Sequence, residues 1–159
     1  MRKFILATWS ILTAASAFSQ ADRFWSANHE DRAAIAKDKA VARLSYPKEF
    51  KLFNLNATPF RGELFGIVGN NRLKNSTIIS IPNADGNLEE FEVVEASNFE
   101  PALQAQFPEI RAYTGKGITD EYATLKLSIS PQGVQTMVFR TDKDNEFIEP
   151  YSEDHAVYA

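Results

Sequence analysis

The side chains able to do chemistry are few and lie far apart. His29 and His155 are the whole imidazole inventory. Neither has a second ligand at the spacing that lets one helix face hold zinc, and no His-Glu-x-x-His occurs. Both sit in polar stretches that read as solvated surface. Glu90 and Glu92 are paired carboxylates of the kind that does general acid–base work. They alternate outward from an expected strand with no histidine or metal-type ligand beside them, so a solvated face is the better reading. Asp142, Asp144 and Asn145 are similar to part of a calcium loop, but its glycine and distal glutamate are missing. A hairpin turn accounts for them. Gly115-Lys116-Gly117 is the one Gly-x-Gly in the chain. A phosphate loop needs a third glycine and a following helix; here a strand follows, and a turn or bulge is expected. Cysteine is absent, which removes a thiolate nucleophile, thiolate zinc ligands, disulfides and a lipoprotein anchor. No catalytic, cofactor-binding or metal-binding residue is assigned, and the chain is read as non-enzymatic.

The elements that would position these residues are mostly strands. Ala123, Leu125, Leu127 and Ile129 face one way and Thr124, Lys126 and Ser128 the other, the cleanest alternation in the chain. Pro131-Gln132-Gly133 reads as a type II turn. Val134–Arg140 and Glu146–Tyr151 follow as strands around a polar turn at Thr141–Asn145, making a meander. Upstream, Thr77–Pro82 and Leu88–Val94 flank Asp85-Gly86, a strong hairpin signal. Ile79, Ile81, Phe91 and Val93 give that hairpin its buried face. Leu44–Leu55 reads as a strand with an edge or bend at Pro47. Thr58 and Pro59 are expected as cap and first residue of a short helix with Phe60, Leu64, Ile67 and Val68 on one face, ended by Gly69-Asn70-Asn71. Pro101 starts a second helix and Pro108 closes it. Asn28–Val41 favours helix by composition, as a short surface helix or arm, with Ile35 and Val41 its only large apolar residues. Phe24 and Trp25 are expected to tie the N-terminal segment back onto the domain. The fold class is α+β: mainly antiparallel sheet, a hairpin plus a meander, with two or three short helices.

Length and composition suit one core with room for a small second lobe: 159 residues, 44% hydrophobic and 12% aromatic. A formal charge of −4, with the charges scattered, argues against nucleic acid and anionic membranes as partners. Arg2 and Lys3 precede an apolar run from Phe4 to Phe18, and Ala17 and Ser19 supply the small residues before a cleavage site. Residues 1–19 are therefore expected to be a signal peptide cut between Ser19 and Gln20, with Ala17 or Ala21 as fallback sites. The run is shorter than the roughly 20 residues needed to span a bilayer. Export through the inner membrane to the periplasm or the medium follows, with no membrane anchor after signal removal. The domain division is 1–19 signal, 20–43 arm or short helix, and 44–159 β-rich domain. Ala156–Ala159 reads as the start of one more strand, so the sequence is expected to be part of a longer product.

One family resemblance is specific. Phe107-Pro108-Glu109-Ile110-Arg111, Tyr113, Gly115 and Gly117, the strand Ala123–Leu127, Pro131 and Gly133, and Ile148 to Pro150-Tyr151 resemble the N-terminal propeptide of secreted reprolysin-like zinc metallopeptidases of Flavobacterium-type bacteria. The N-terminal half agrees more loosely, through Phe24-Trp25, the Pro59 helix and the Asp-Gly hairpin. The resemblance implies a zinc protease domain beyond this chain, itself the partner, with zinc bound there and no cofactor here. It implies a propeptide that assists folding and keeps the protease inactive until cleavage. Lacking cysteine, this segment could cap zinc only through an acid or histidine, or inhibit by covering the cleft. Cutting is expected around Thr141–Asn145 or after Tyr151, in polar segments. Two other readings stand beside it. One is a stand-alone secreted module binding protein or carbohydrate through Tyr113, Tyr122, Phe139 and Tyr151; the other is a free-standing protease inhibitor.

Overall fold

Alternating side chains build the larger part of the structure. In this computed structural model, which describes residues 23–37, 47, 49–69 and 75–159, the strands β3 (Thr77–Pro82), β4 (Leu88–Glu95), β5 (Arg111–Gly117), β6 (Thr124–Ser130), β7 (Gly133–Phe139) and β8 (Glu146–Ile148) lie side by side in chain order. Every neighbouring pair is antiparallel. The fold class is α+β and mainly antiparallel. The signal peptide with its Ser19–Gln20 junction, the Asn70-Asn71 stop and residues 38–46 lie outside the described residues.

Register puts one set of side chains inward. Phe91 sits opposite Ile79, Tyr113 opposite Leu127, and Leu127 opposite Thr136, and all are buried. That face is covered by a smaller antiparallel sheet, in order β1 (Trp25–Ala27), β2 (Phe53–Leu55) and β9 (Val157–Tyr158), and by helix α1 (Ala57–Phe65). Phe24 and Trp25 are tied back as expected: Phe60 meets both edge-to-face, at centroid separations of 5.4 and 5.9 Å, a preferred aromatic arrangement. The two sheets are joined through the segment after β8. Glu149 and Ala159 exchange both backbone hydrogen bonds at 3.0 Å, and Tyr151 N–H donates to the Val157 carbonyl at 2.7 Å. A second, smaller core of Ile35, Leu52, Tyr151 and Val157 forms on the outer side of this sheet.

Several elements differ from their sequence expectation. Asn28 to Lys37 forms turns, not helix: the Asn28 and Asp31 carboxamide and carboxylate oxygens accept the N–H groups of Glu30 and Ala33. Such local bonds compete with the helical ladder. Ile35 then docks in the second core. Helix α1 starts one residue before Thr58, with Asn56 at the cap position and no side-chain cap bond. Pro59 is thus third in the helix, where its N–H would still be unpaired. Gly115-Lys116-Gly117 is neither turn nor bulge. It is the last part of β5, paired with both neighbours, and the chain reverses only after it. In the β6–β7 hairpin, Gly133 has φ of +109° while Gln132 does not enter positive φ. A type II turn needs positive φ at Gln132, so the glycine instead occupies the left-handed position at the turn's exit. Helix α2 (Pro101–Gln106) forms as expected, with Pro101 in its first turn.

Candidate functional site

The densest polar constellation lies at one end of the large sheet. Arg140, which leaves β7, has a side chain 1% exposed. Its guanidinium meets three carboxylates: Glu89 of β4 at 2.7 Å, Asp120 of the β5–β6 loop at 2.8 Å, and Glu146 of β8 at 2.5 Å. Each carboxylate spends its second oxygen on a neighbouring loop. Glu89 accepts from the Asn83 amide at 2.8 Å, Asp120 from Tyr122 N–H at 3.1 Å, and Glu146 from Ala84 N–H at 3.0 Å. Burial alone would lower the Arg140 pKa. The hydrogen bonds to Glu146 and Glu89 outweigh it, and the guanidinium is held above its ordinary value. The cluster contains no nucleophile, its cation cannot release a proton, and its carboxylate oxygens are all occupied. It can lock loops; it has no free group for acid–base work.

Sequence reasoning passed over this cluster because it weighed Glu90 and Glu92. Their neighbour Glu89 shares strand parity with Phe91 and Val93, and Arg140 shares parity with Val134, Thr136 and Val138. Opposite charges at core parity on strand ends were the available signal.

Beside the cluster runs a groove of about 390 Å³ between β8 and the small sheet. Phe50, Phe53, Pro82, Phe147 and Ile148 supply apolar wall, and Ala159 stands in it. Phe147 is 54% exposed, and on the outer sheet face it sits opposite Met137. Of the four aromatics that motivated a binding face, Tyr113 and Tyr151 are buried in cores, while Tyr122 and Phe139 are exposed.

The residues that carry the family resemblance do not converge on one site. Phe107 and Pro108 are exposed beyond α2, and Glu109 and Ile110 are half-buried. Arg111 pairs with Glu95 at 2.9 Å. Gly115 and Gly117 lie buried under neighbouring chain: a Cβ on Gly115 would fall 2.8 Å from Val93 Cγ1, and one on Gly117 1.9 Å from the Asp120 carbonyl oxygen. Pro131 is exposed in its turn. Gly133 and Pro150 come together, since a Cβ on Gly133 would meet Pro150 Cγ at 2.8 Å and Tyr158 Oη at 3.0 Å. Thr141–Asn145 is exposed throughout, whereas Val157 and Tyr158, beyond Tyr151, are buried. Among the described residues no group of three or more His, Asp or Glu is placed to hold a metal. No helix among the described residues is long and apolar enough to cross a membrane.

Tyr113 and Tyr158 give the fold a pH limit. Burial pushes the Tyr113 phenol up, Glu95 adds to the shift and Arg111 opposes it. Burial likewise raises Tyr158, against the hydrogen bond its oxygen accepts from Val134 N–H. A folded pKa above the unfolded value of about 10 means a contribution to stability that is intact below about pH 10 and lost as pH rises through the folded values. Alkaline titration is therefore expected to show late tyrosinate absorbance rising together with loss of near-ultraviolet circular dichroism. Complete tyrosinate formation with the dichroism intact would contradict the burial of these two phenols.

Compared with known proteins, the chain matches no family model, no curated protein and no solved structure.

Proposed function

We propose that this domain is a non-catalytic propeptide, a folding assistant and inhibitor, of a secreted zinc metallopeptidase whose catalytic domain lies beyond this chain. The observation that carries the reading is where five of the resembling residues fall. Gly115, Gly117, Gly133, Tyr113 and Tyr151 occupy positions where close backbone approach, positive φ or core packing admits few residue types. A resemblance borne by such positions tracks a backbone, whereas one borne by surface composition would not. The apolar groove offers the contact surface, and residues joined after Ala159 would leave from its wall. On this reading the mature chain acts by fit to its own protease, outside the inner membrane.

The test is refolding of the catalytic domain encoded downstream, with and without residues 20–159. The expected result is a higher yield of folded protease and loss of its activity while the domain is bound. A stop codon directly after Ala159 in intact genomic DNA would overturn the intramolecular form. Exposed Tyr122 and Phe139 favour the stand-alone binding module as second reading, which binding of residues 20–159 on a glycan array would support.

A further inference from the structure

The end of the large sheet beside the groove is fastened by charge. We propose that the Arg140 cluster is an acid-released clamp. Protonation of Glu89, Asp120 and Glu146 frees loops 83–87, 118–123 and 140–145 and reshapes the adjoining groove, while the rest of the fold persists. The inference rests on the cluster's geometry alone and stands whether or not the domain serves a protease.

Each of the three carboxylates accepts on both oxygens, one from Arg140 and one from a loop donor. Protonation removes each carboxylate's charge and makes its oxygens poorer acceptors, so the charge-assisted bonds to Arg140 and to the loop donors weaken together. The guanidinium keeps its proton throughout the acid range and is left buried with no counter-charge, which loosens the site. Other charged groups on these elements do not replace the carboxylates. Asp85, Glu121, Asp142, Lys143 and Asp144 are exposed, Glu90 and Glu92 sit on the outer parity of β4, and Lys51 donates to the Asp85 carbonyl. None of them hydrogen-bonds to Arg140 among the contacts of the described residues. The opposite end of the sheet is tied differently. Arg61 donates to the Ser130 carbonyl at 2.7 Å and Val134 N–H to Tyr158 Oη at 3.3 Å, acceptors that do not titrate in acid, and one carboxylate, Glu95, pairs with Arg111. Asn83, Ala84, Asn145 and Glu146 belong to both clamp and groove wall, so release at one is change at the other.

The experiment is amide hydrogen exchange of the intact domain, read as protection factors while pH is lowered stepwise from about 7 to about 2, well below the reference carboxylate values of about 4. Protection at Ala84 and Tyr122, whose N–H groups donate to the cluster, is expected to fall more than about tenfold while Leu127 in the centre of β6 keeps its own. Parallel loss at all three, or no loss at Ala84 and Tyr122, would overturn the clamp. Asp120→Asn supplies the second arm: Tyr122 should lose its acid response while Ala84 retains one. An unchanged titration at Tyr122 in that variant would also overturn it. Glu92→Gln, outside the cluster, should leave both responses as they are.

Discussion

Gly117→Ala is expected to cost about 3 kcal/mol or more, the upper range for forcing extra volume into closed packing. The new Cβ would fall 1.9 Å from the Asp120 carbonyl oxygen and 3.2 Å from Ala123 Cβ. The first of these neighbours is backbone, so no rotamer change relieves the clash. That carbonyl also accepts the Ala123 N–H at 3.0 Å, and Gly117 N–H donates to the Ala123 carbonyl at the same distance. Moving the loop therefore breaks its own bonds and shifts the Asp120 side chain that holds Arg140. Gly62→Ala is the internal contrast. Nothing lies within 4 Å of its added Cβ, and alanine is about 1 kcal/mol the better helix former at an exposed interior position. Urea denaturation midpoints should move in opposite directions for the two variants. Equal midpoints for Gly117→Ala and the unaltered chain would mean that the loop does not close on this glycine.

The same glycine shows where sequence reasoning stops. Gly-x-Gly is locally the composition of a turn, and Gly117 does lie beside one. Its glycine identity, however, answers a contact with residue Asp120, set by how the following loop folds back. Gly133 is a milder case: Pro131 and Gly133 locate the hairpin correctly, yet the positive φ belongs one residue later than a type II turn would place it. By contrast, Leu125, Leu127 and Ile129 were legible because strand parity alone decides which face is buried. So was the Asp85-Gly86 hairpin, whose register follows from its short loop. The second sheet was not. Its strands have three, three and two residues, too few for a period to emerge, and they pair across separations that only the tertiary fold defines.

Parity also explains why the lock at Arg140 was hidden. A charged residue at the end of a strand reads as solvent-facing by default, since charged side chains are seldom fully buried unless paired. The pairing here needs Glu89, Asp120 and Glu146 to arrive from three other elements. Each looks ordinary in its own stretch. The conspicuous acids, Glu90 and Glu92, lie on the outer parity of β4, while the acid that meets the Arg140 guanidinium is the one between them and the hairpin turn.

Arg140→Met is expected to be the more damaging change to this network, costing about 3–5 kcal/mol, as for removal of one partner from a buried ion pair. Methionine keeps much of the apolar stem, so lost volume is small. What remains is three carboxylates facing one another with no cation. Arg140→Lys should fall between Arg140→Met and the unaltered chain. It keeps the charge, but one ammonium cannot reproduce the separate Nε, Nη1 and Nη2 bonds to Glu146, Asp120 and Glu89. Adding Glu89→Gln and Glu146→Gln to Arg140→Met should recover part of the loss, since neutral groups no longer repel. The pH dependence identifies the cause. Unpaired, crowded carboxylates in the folded variant bind protons more readily than in its unfolded chain, so folding takes up protons and stability rises as pH falls. The deficit of Arg140→Met relative to the unaltered chain should therefore shrink from neutral pH toward about pH 4, within the carboxylate range. A deficit that stays constant with pH would assign the effect to packing and not to charge.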